Sequence, residues 1–215
     1  MITLYDSPGS SASYRVRIAL GLAEERWQTK TVDLQGGGQR KPAHLARNPQ
    51  GRVPVLDVDG LQLTQSLAII EYLNGTRRLG LLPDTPAARA RVQALAHAIA
   101  MEIHPICNRA TATWAVDRSG GTIALDTWMQ HFIATGLAAY EEMLDGSAYS
   151  FGAGVTLADL CLIPQLYNAR LWGVDLAGCP KIQRVEATLQ AIPAVRHAHP
   201  DRAPTYGSDD VSGSP

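Results

Sequence analysis

Hydrophobic residues follow two different patterns along the chain, and the change comes near residue 80. In the first part, short runs of apolar and β-branched residues predict strands at 2–6 and 27–34. Between them, apolar residues at helical spacing predict a helix over about 12–23. Because a strand–helix–strand unit joins parallel strands of one sheet, we expect these two strands to be parallel.

The rest of the first part adds a hairpin and two helices. A short helix is predicted near 42–47, and the stretch VPVLDVDGLQLTQ predicts two strands that turn at Asp59-Gly60. A further helix begins at Ser66 and carries apolar residues on one face. The pattern therefore predicts a small four-stranded mixed sheet covered by helices.

Beyond residue 87 no alternating pattern returns, and apolar residues recur only at helical spacing. The preceding stretch NGTRRLGLLPDTP, at 74–86, has the Gly and Pro residues of a linker. The predicted fold class is therefore α/β plus all-α, with an α/β domain at 1–80 and an all-helical domain at 87–203. The polar residues 204–215, rich in Gly and Ser, predict a disordered tail.

Composition narrows the class of protein. The chain has 215 residues, of which 46% are hydrophobic, so it can bury a real core. With a net charge of −1, the chain has no excess of basic residues that would indicate binding to nucleic acid or to an anionic membrane. No apolar run approaches the ~18 residues of a membrane span. The three cysteines are widely spaced without a CxxC motif, which argues against disulfides and a zinc site. We expect a cytoplasmic protein without a metal.

In the stretch SPGSSASYRVRIAL at 7–20, three serines, Ser10, Ser11 and Ser13, follow Pro8-Gly9 within four positions, where a strand runs into a helix. The first amides of a helix are unpaired and carry a partial positive charge, so Ser10 or Ser11 can cap the helix. Capping needs only one hydroxyl, and the same position can also stabilise an anion, in particular a thiolate. Since no cysteine lies in this stretch, such a thiolate would have to belong to a ligand.

Two more features of the first domain suit a peptide ligand. Val53-Pro54 stands at the start of the third strand, where a cis bond would leave the Val53 backbone free to pair with an extended peptide. Ser66 caps the next helix, and Gln65 before it can hydrogen-bond an amino or carboxylate group. Two helix N-termini and a strand edge together suit a peptide that carries carboxylates and a thiol.

The motifs SSASYRVRIAL, NPQGRVPVL, LTQSLAIIEYL, EIHPICNR and VTLADLCLIPQLYNARLWGVDL together resemble the zeta class of glutathione transferases. This class contains the maleylacetoacetate and bacterial maleylpyruvate isomerases, and the resemblance extends over roughly residues 1–200. It implies a thioredoxin-like N-terminal domain that binds glutathione and a helical glutathione-transferase C-terminal domain that contributes the substrate pocket. It also implies a homodimer.

The resemblance assigns roles in the N-terminal domain. Ser10 matches the serine that stabilises the glutathione thiolate, and Ser11 matches the supporting hydroxyl beside it, so these two are the expected catalytic residues. Gln50 and Val53 match glutathione contacts, Val53 through its backbone. Gln65 and Ser66 match the residues that hold the γ-glutamyl end.

In the helical domain, His104, Asn108 and Arg109 match positions that close over glutathione and the substrate. Pro105 should kink the helix at that point and redirect these side chains. His104 taken alone also fits a structural histidine.

The chain departs from the family pattern at four positions. Ala12 replaces the family cysteine, and Tyr14 stands where Trp or His is common. Leu171 and Gly9 stand where relatives have arginines that hold substrate carboxylates. Arg170 lies one residue earlier, about 100° around the helix, and joins Arg109 as a candidate for binding the substrate.

The function implied is a glutathione-dependent cis–trans isomerisation of a maleyl-type keto acid, in which the glutathione thiolate adds to the double bond and leaves after rotation. Two alternatives stay open. One is a zeta-like transferase with conjugating, dehalogenating or peroxidase activity, and the other is a non-catalytic glutathione-binding protein.

Overall fold

The computed structural model describes residues 1–203; the predicted tail at 204–215 lies outside them. The chain divides into two compact units. We call Met1–Leu79, with the described residues from Pro193 onward, the N-terminal unit, and Gly80–Ile192 the helical unit.

The N-terminal unit is built on one four-stranded sheet. Its elements, in chain order, are β1 (Ile2–Asp6), α1 (Ser11–Leu22), β2 (Trp27–Thr31), α2 (Pro42–Leu45), β3 (Val55–Val58), β4 (Leu61–Thr64), α3 (Ser66–Arg77) and, from the end of the chain, α10 (Pro193–His197). The strand order is β2-β1-β3-β4. Strands β1 and β2 are parallel, and the other two pairs are antiparallel, which confirms the predicted mixed sheet.

The register of the sheet brings three chain segments to one end. Val55, the first residue of β3, pairs with Tyr5 near the end of β1 and with Thr64 at the end of β4. The segment after β1, the segment before β3 and the segment after β4 therefore lie at the same edge. The hairpin turn at Asp59-Gly60 has positive φ angles of 52° and 78°, as a tight two-residue turn requires, and lies at the opposite end.

A buried ion pair joins the sheet to α1. The guanidinium of Arg17 donates to both carboxylate oxygens of Asp6, at 2.8 and 2.7 Å. It also donates to the carbonyl oxygens of Pro8 and Ala198, each at 2.9 Å. Every nitrogen of this buried side chain is thus paired, as a buried charge requires.

The C-terminal segment belongs with the N-terminal unit, which differs from the sequence-based boundary at residue 203. Helix α10 packs against α1, where a Cβ on Gly21 would lie 3.1 Å from the Cβ of Ala194. The Arg17 hydrogen bond to Ala198 fixes the same segment. The stretch is helical, as its apolar spacing predicts, but this spacing does not indicate which element the helix packs against.

The helical unit contains the remaining helices, which are α4 (Pro86–His97), α5 (His104–Ile106), α6 (Arg109–Arg118), α7 (Leu125–Met143), α8 (Leu157–Leu171) and α9 (Pro180–Gln190). Thr156 and Asp159 form the capping box that the sequence TLADL indicates at the start of α8. Buried apolar residues of α4, α7, α8 and α9 form the core.

A wide helical turn separates α4 from α5. Residues Ala98–Ile103 are π-helical, and Pro105 follows directly within α5. Because proline has no amide hydrogen, the carbonyl four residues earlier loses its α-helical donor, and the backbone cannot continue as a regular α-helix. The predicted irregularity is therefore present, as a widened turn before the proline and a helix end at Cys107.

We expect Gly136→Ala to lower the free energy of unfolding by about 1–3 kcal/mol, because α7 packs closely on the π-helical turn. An added Cβ would lie 2.5 Å from Cδ1 of Ile103. Urea unfolding measures the change, and in an Ile103→Ala background, where the contact is absent, the same Gly136→Ala substitution should cost much less. Gly75→Ala is the matched control, since a Cβ there meets open space and should stabilise α3 by up to about 1 kcal/mol. Equal effects of the two alanines would contradict the packing argument.

Candidate active site

The start of α1 lies at the sheet edge where the three segments meet. The Oγ atom of Ser10 accepts a hydrogen bond from the Ser13 amide at 3.3 Å, so Ser10 is the N-cap. This bond uses a lone pair of the hydroxyl and leaves its hydrogen able to donate to an anion. The amides of Ser11 and Ala12, at the positive end of the helix, have no carbonyl acceptor in the preceding turn. The geometry therefore fits both capping and anion binding.

A network of buried polar side chains shapes the loop before β3. The Nδ2 atom of Asn48 donates to the carbonyl oxygen of Arg52 at 2.9 Å, and Nε2 of His44 contacts the same oxygen at 2.9 Å. Oδ1 of Asn48 accepts from the Gln50 amide at 3.1 Å. His44 and Asn48 thus hold the loop that carries Gln50 and Val53, a role the sequence analysis missed. In the sequence, the only indication of this role is that a polar residue stands in each segment, His44 in α2 and Asn48 in NPQGRVP.

The segments before β3 and after β4 meet through their side chains. Nε2 of Gln65 donates to Oε1 of Gln50 at 2.7 Å. The Val53-Pro54 peptide bond is cis, and the Val53 backbone makes no hydrogen bond within residues 1–203. Gln65 has φ of 68°, a left-handed conformation that is unfavourable for a residue with a side chain and is concentrated at ligand-binding positions.

The first residue of α3 contacts a buried arginine of α1. Nη1 of Arg15 donates to Oγ of Ser66 at 3.4 Å, and both residues are buried. The resemblance assigns no glutathione contact to Arg15, although a cation in the apolar run YRVRIAL is unusual. The structure therefore brings Gln50, Gln65, Ser66 and Arg15 together at the start of α3.

The three candidates in the helical unit lie around the start of α6. His104 is partly buried at the start of α5, and Arg109 is exposed at the first position of α6. Asn108 is the N-cap of α6, because its Oδ1 accepts from the Ala110 amide at 3.2 Å. Its side chain therefore already has a structural function, which the sequence analysis did not foresee.

Arg170 is engaged in an ion pair. Its two terminal nitrogens donate to both carboxylate oxygens of Glu186 on α9, at 2.6 and 2.5 Å. The neighbouring Leu171 leaves 61% of its surface exposed. Arg170 is thus held toward α9, and an apolar side chain stands at position 171, where the resemblance implies an arginine.

The thiols of this chain are poor nucleophiles. Cys107, Cys161 and Cys179 are all buried and form no disulfide bond within residues 1–203, and all belong to the helical unit. Burial raises the pKa of the Cys107 thiol to about 11 and also raises the pKa of Cys179. Residues 1–203 contain no cluster of three His, Cys, Asp or Glu side chains placed to hold a metal ion. None of their helices is long and apolar enough to cross a membrane.

The mixed sheet, the serine-capped start of α1 and the following helical unit are those of a glutathione transferase, with a thioredoxin-like first unit. Residues 1–75 match the family described as glutathione S-transferase, N-terminal domain.

Comparison with individual relatives shows to which class of glutathione transferases the chain belongs. Over 205 residues, the chain is 55% identical to a maleylacetoacetate isomerase of Rhizobium meliloti, covering 93% of this chain and 96% of the relative. A maleylpyruvate isomerase structure, described as a bacterial zeta-class enzyme, has a TM-score of 0.89 at 38% identity and covers 94% of this chain and 98% of that one. A maleylacetoacetate isomerase of Anaeromyxobacter dehalogenans, solved with glutathione in its active site, has a TM-score of 0.84 at 38% identity, with 95% and 97% covered. The chain belongs to the zeta-class glutathione transferases, the maleylacetoacetate isomerase family.

We expect alkylation of the native protein by iodoacetamide to be very slow at neutral pH. With a pKa of about 11, roughly one Cys107 thiol in 10,000 is ionised at pH 7, and only the thiolate reacts. The rate at Cys107 should rise about tenfold per pH unit until the pH approaches this pKa. Mass spectrometry after labelling measures the modification, with the urea-unfolded chain as the fully reactive control. Rapid labelling of Cys107 in the folded protein would contradict its burial.

Proposed function

We propose that this chain binds glutathione at the sheet edge described above and isomerises a maleyl-type keto acid, such as maleylacetoacetate or maleylpyruvate, from cis to trans. The observation that carries the proposal is Ser10, which caps α1 and keeps a hydroxyl hydrogen free at the positive end of the helix. The names of the most similar relatives support the substrate class.

The residues present fit glutathione. The protein has no thiol in its N-terminal unit, while the start of α1 suits a thiolate. The unused backbone of Val53 suits an extended peptide, and the start of α3 suits a carboxylate. When bound, glutathione supplies the thiolate that adds reversibly to the substrate double bond and so permits rotation about it.

Ser10 and Ser11 are the proposed catalytic residues. An ordinary thiol has a pKa of about 8.5, and one pKa unit corresponds to about 1.36 kcal/mol. A hydrogen bond to a charged group contributes about 1.5–3 kcal/mol, so the Ser10 hydroxyl with the α1 amides can keep a bound thiol ionised at neutral pH. Ser11 lies buried beside Ser10 and is proposed to support the same anion.

Other residues bind and orient. We assign Gln50 and the Val53 backbone to the glutathione peptide, and Gln65 and Ser66 to its γ-glutamyl end. In the helical unit, we assign His104, Asn108 and Arg109 to glutathione. Arg109 and Arg170 are the candidates for a substrate carboxylate.

One observation favours a second candidate function. Leu171 and Gly9 provide no cation where relatives have arginines, and Arg170 is paired with Glu186. Because an unpaired buried carboxylate is strongly unfavourable, a pocket with fewer cations suits a less charged electrophile. Conjugation or dehalogenation by the same bound thiolate is therefore the alternative reaction.

We infer that the protein acts as a homodimer in the cytoplasm. The dimer is inferred from membership of the zeta class. The cytoplasm fits three buried cysteines that form no disulfide bond within residues 1–203, because thiols stay reduced there.

Turnover of maleylacetoacetate and maleylpyruvate, with and without glutathione, tests the proposed function. We expect isomerisation that requires glutathione and leaves its concentration unchanged, because the thiolate is returned. Consumption of glutathione with a halogenated acid, without isomerisation, would favour the alternative. Absence of any glutathione-dependent reaction would reject both.

Ser10 variants extend this test to the site. Ser10→Ala should raise the pKa of the bound thiol by about one unit or more, and Ser11→Ala should raise it less. The ultraviolet absorbance of the thiolate, measured as a function of pH, gives this pKa. Loss of the cap also lowers stability by about 1 kcal/mol, so Ser10→Gly is the control. Glycine is tolerated at an N-cap, adds no charge and cannot donate to the thiolate. An unchanged titration curve in Ser10→Ala would move the role to Ser11.

Arg109→Ala and Arg170→Ala form a matched pair for the substrate carboxylate. We expect Arg109→Ala to raise KM for an anionic substrate by about tenfold or more and to leave a neutral electrophile unaffected, because a charged hydrogen bond is lost. Arg170→Ala should change KM less, since Glu186 already holds this guanidinium. Equal losses for both substrate classes in Arg109→Ala would make Arg109 a structural or glutathione-only residue and overturn its role in binding the substrate carboxylate.

A further inference from the structure

Two buried arginines stand two positions apart on α1 and differ in their surroundings. Arg17 is paired at every nitrogen, as described above. Arg15 is 2% exposed, and among residues 1–203 its one hydrogen bond is the 3.4 Å contact from Nη1 to Ser66. Its Nε and Nη2 atoms are buried and have no hydrogen-bond partner in this part of the chain. No carboxylate within residues 1–203 is close enough to Arg15 to form an ion pair.

A buried guanidinium without an anion is strongly unfavourable, because its hydration is lost and nothing replaces it. Buried arginines in folded proteins are therefore paired as a rule. The empty donors of Arg15 point to an anion that residues 1–203 do not supply.

The position of Arg15 indicates where that anion binds. Its one partner, Ser66, is the first residue of α3, a twelve-residue helix whose unpaired amides attract negative charge. The guanidinium thus adds a full positive charge to the partial charge of the helix at the same point. Gln65, held in a left-handed conformation, precedes Ser66 and completes the polar surroundings.

We propose that Arg15 holds the carboxylate that binds at the start of α3, acting through the Ser66 hydroxyl and by its charge. The inference rests on the proposed function, under which this carboxylate is the α-carboxylate of the γ-glutamyl residue of glutathione. Arg15 is a positioning residue: it fixes one end of the peptide and leaves the thiol chemistry to Ser10.

This role has a consequence that a structural arginine would not have. Removing a structural cation destabilises the folded chain. Removing an unpaired buried cation relieves the chain of a desolvated charge, so the ligand-free protein becomes more stable while the ligand binds less well. The two effects of one substitution therefore have opposite signs.

The experiment compares Arg15→Met with Arg17→Met, because methionine fills a similar space without charge. Thermal unfolding is measured without ligand. Calorimetry then gives the affinity for glutathione and for γ-aminobutyryl-cysteinyl-glycine, which lacks only the α-carboxylate of the γ-glutamyl residue. We expect Arg15→Met to raise the thermal midpoint and to weaken glutathione binding by about tenfold or more, with the affinity for the analogue unchanged. Arg17→Met should lower the midpoint, because Asp6 is left buried and unpaired.

Arg15→Lys is the conservative variant and should retain part of the preference for glutathione over the analogue, since it keeps the charge. A lower midpoint or an unfolded chain in Arg15→Met would overturn the proposal, as would equal loss of affinity for the two peptides. The proposed function fails separately, if the unsubstituted protein binds neither peptide or does not isomerise the keto acids.

Discussion

The ion pair between Asp6 and Arg17 is the constraint on which the N-terminal unit depends. It joins the last residue of β1 to the middle of α1, and the same guanidinium holds the carbonyl of Pro8 in the intervening loop. Ser10 lies in the last part of that loop, so its position at the end of the sheet follows from this pair. The remaining nitrogen holds Ala198, which fixes the C-terminal segment to the same helix. One fully paired side chain thus holds β1, the loop between β1 and α1, and the segment at Ala198 together.

Arg15 shows the opposite arrangement on the same helix. Where Arg17 stabilises the folded chain, Arg15 keeps a buried charge that nothing within the described residues neutralises. Proteins retain such unfavourable groups at sites where a ligand completes them. Together with the positive φ of Gln65, it gives the start of α3 two energetically unfavourable features. The ordered loop held by His44 and Asn48 supplies the rigid side of the same edge.

In the helical unit, several polar residues serve structure before chemistry. Asn108 caps α6, Arg170 is bound by Glu186, and the closely packed Gly136 sets the distance between α7 and the π-helical turn. Both candidate cations are exposed, and Arg109 is the one that forms no ion pair within residues 1–203. Leu171, beside Arg170, offers no positive charge to a substrate carboxylate. The number of carboxylates on the preferred substrate is therefore the property in which this chain would differ from a relative with arginine at that position.

The sequence alone determined the features that depend on neighbours along the chain. The strand and helix periods, the turn at Asp59-Gly60, the cap at Ser10 and the irregular helix at Pro105 are each encoded within a few residues, so local pattern predicted them. The family motifs then identified the class. Only the tertiary structure decided which of two arginines in YRVRIAL is paired, because their partners lie far away in the chain. Arg17 reaches Ala198 across 181 residues, and Arg15 reaches Ser66 across 51. The same reason explains α10 and Arg170, whose packing partners no local period can specify.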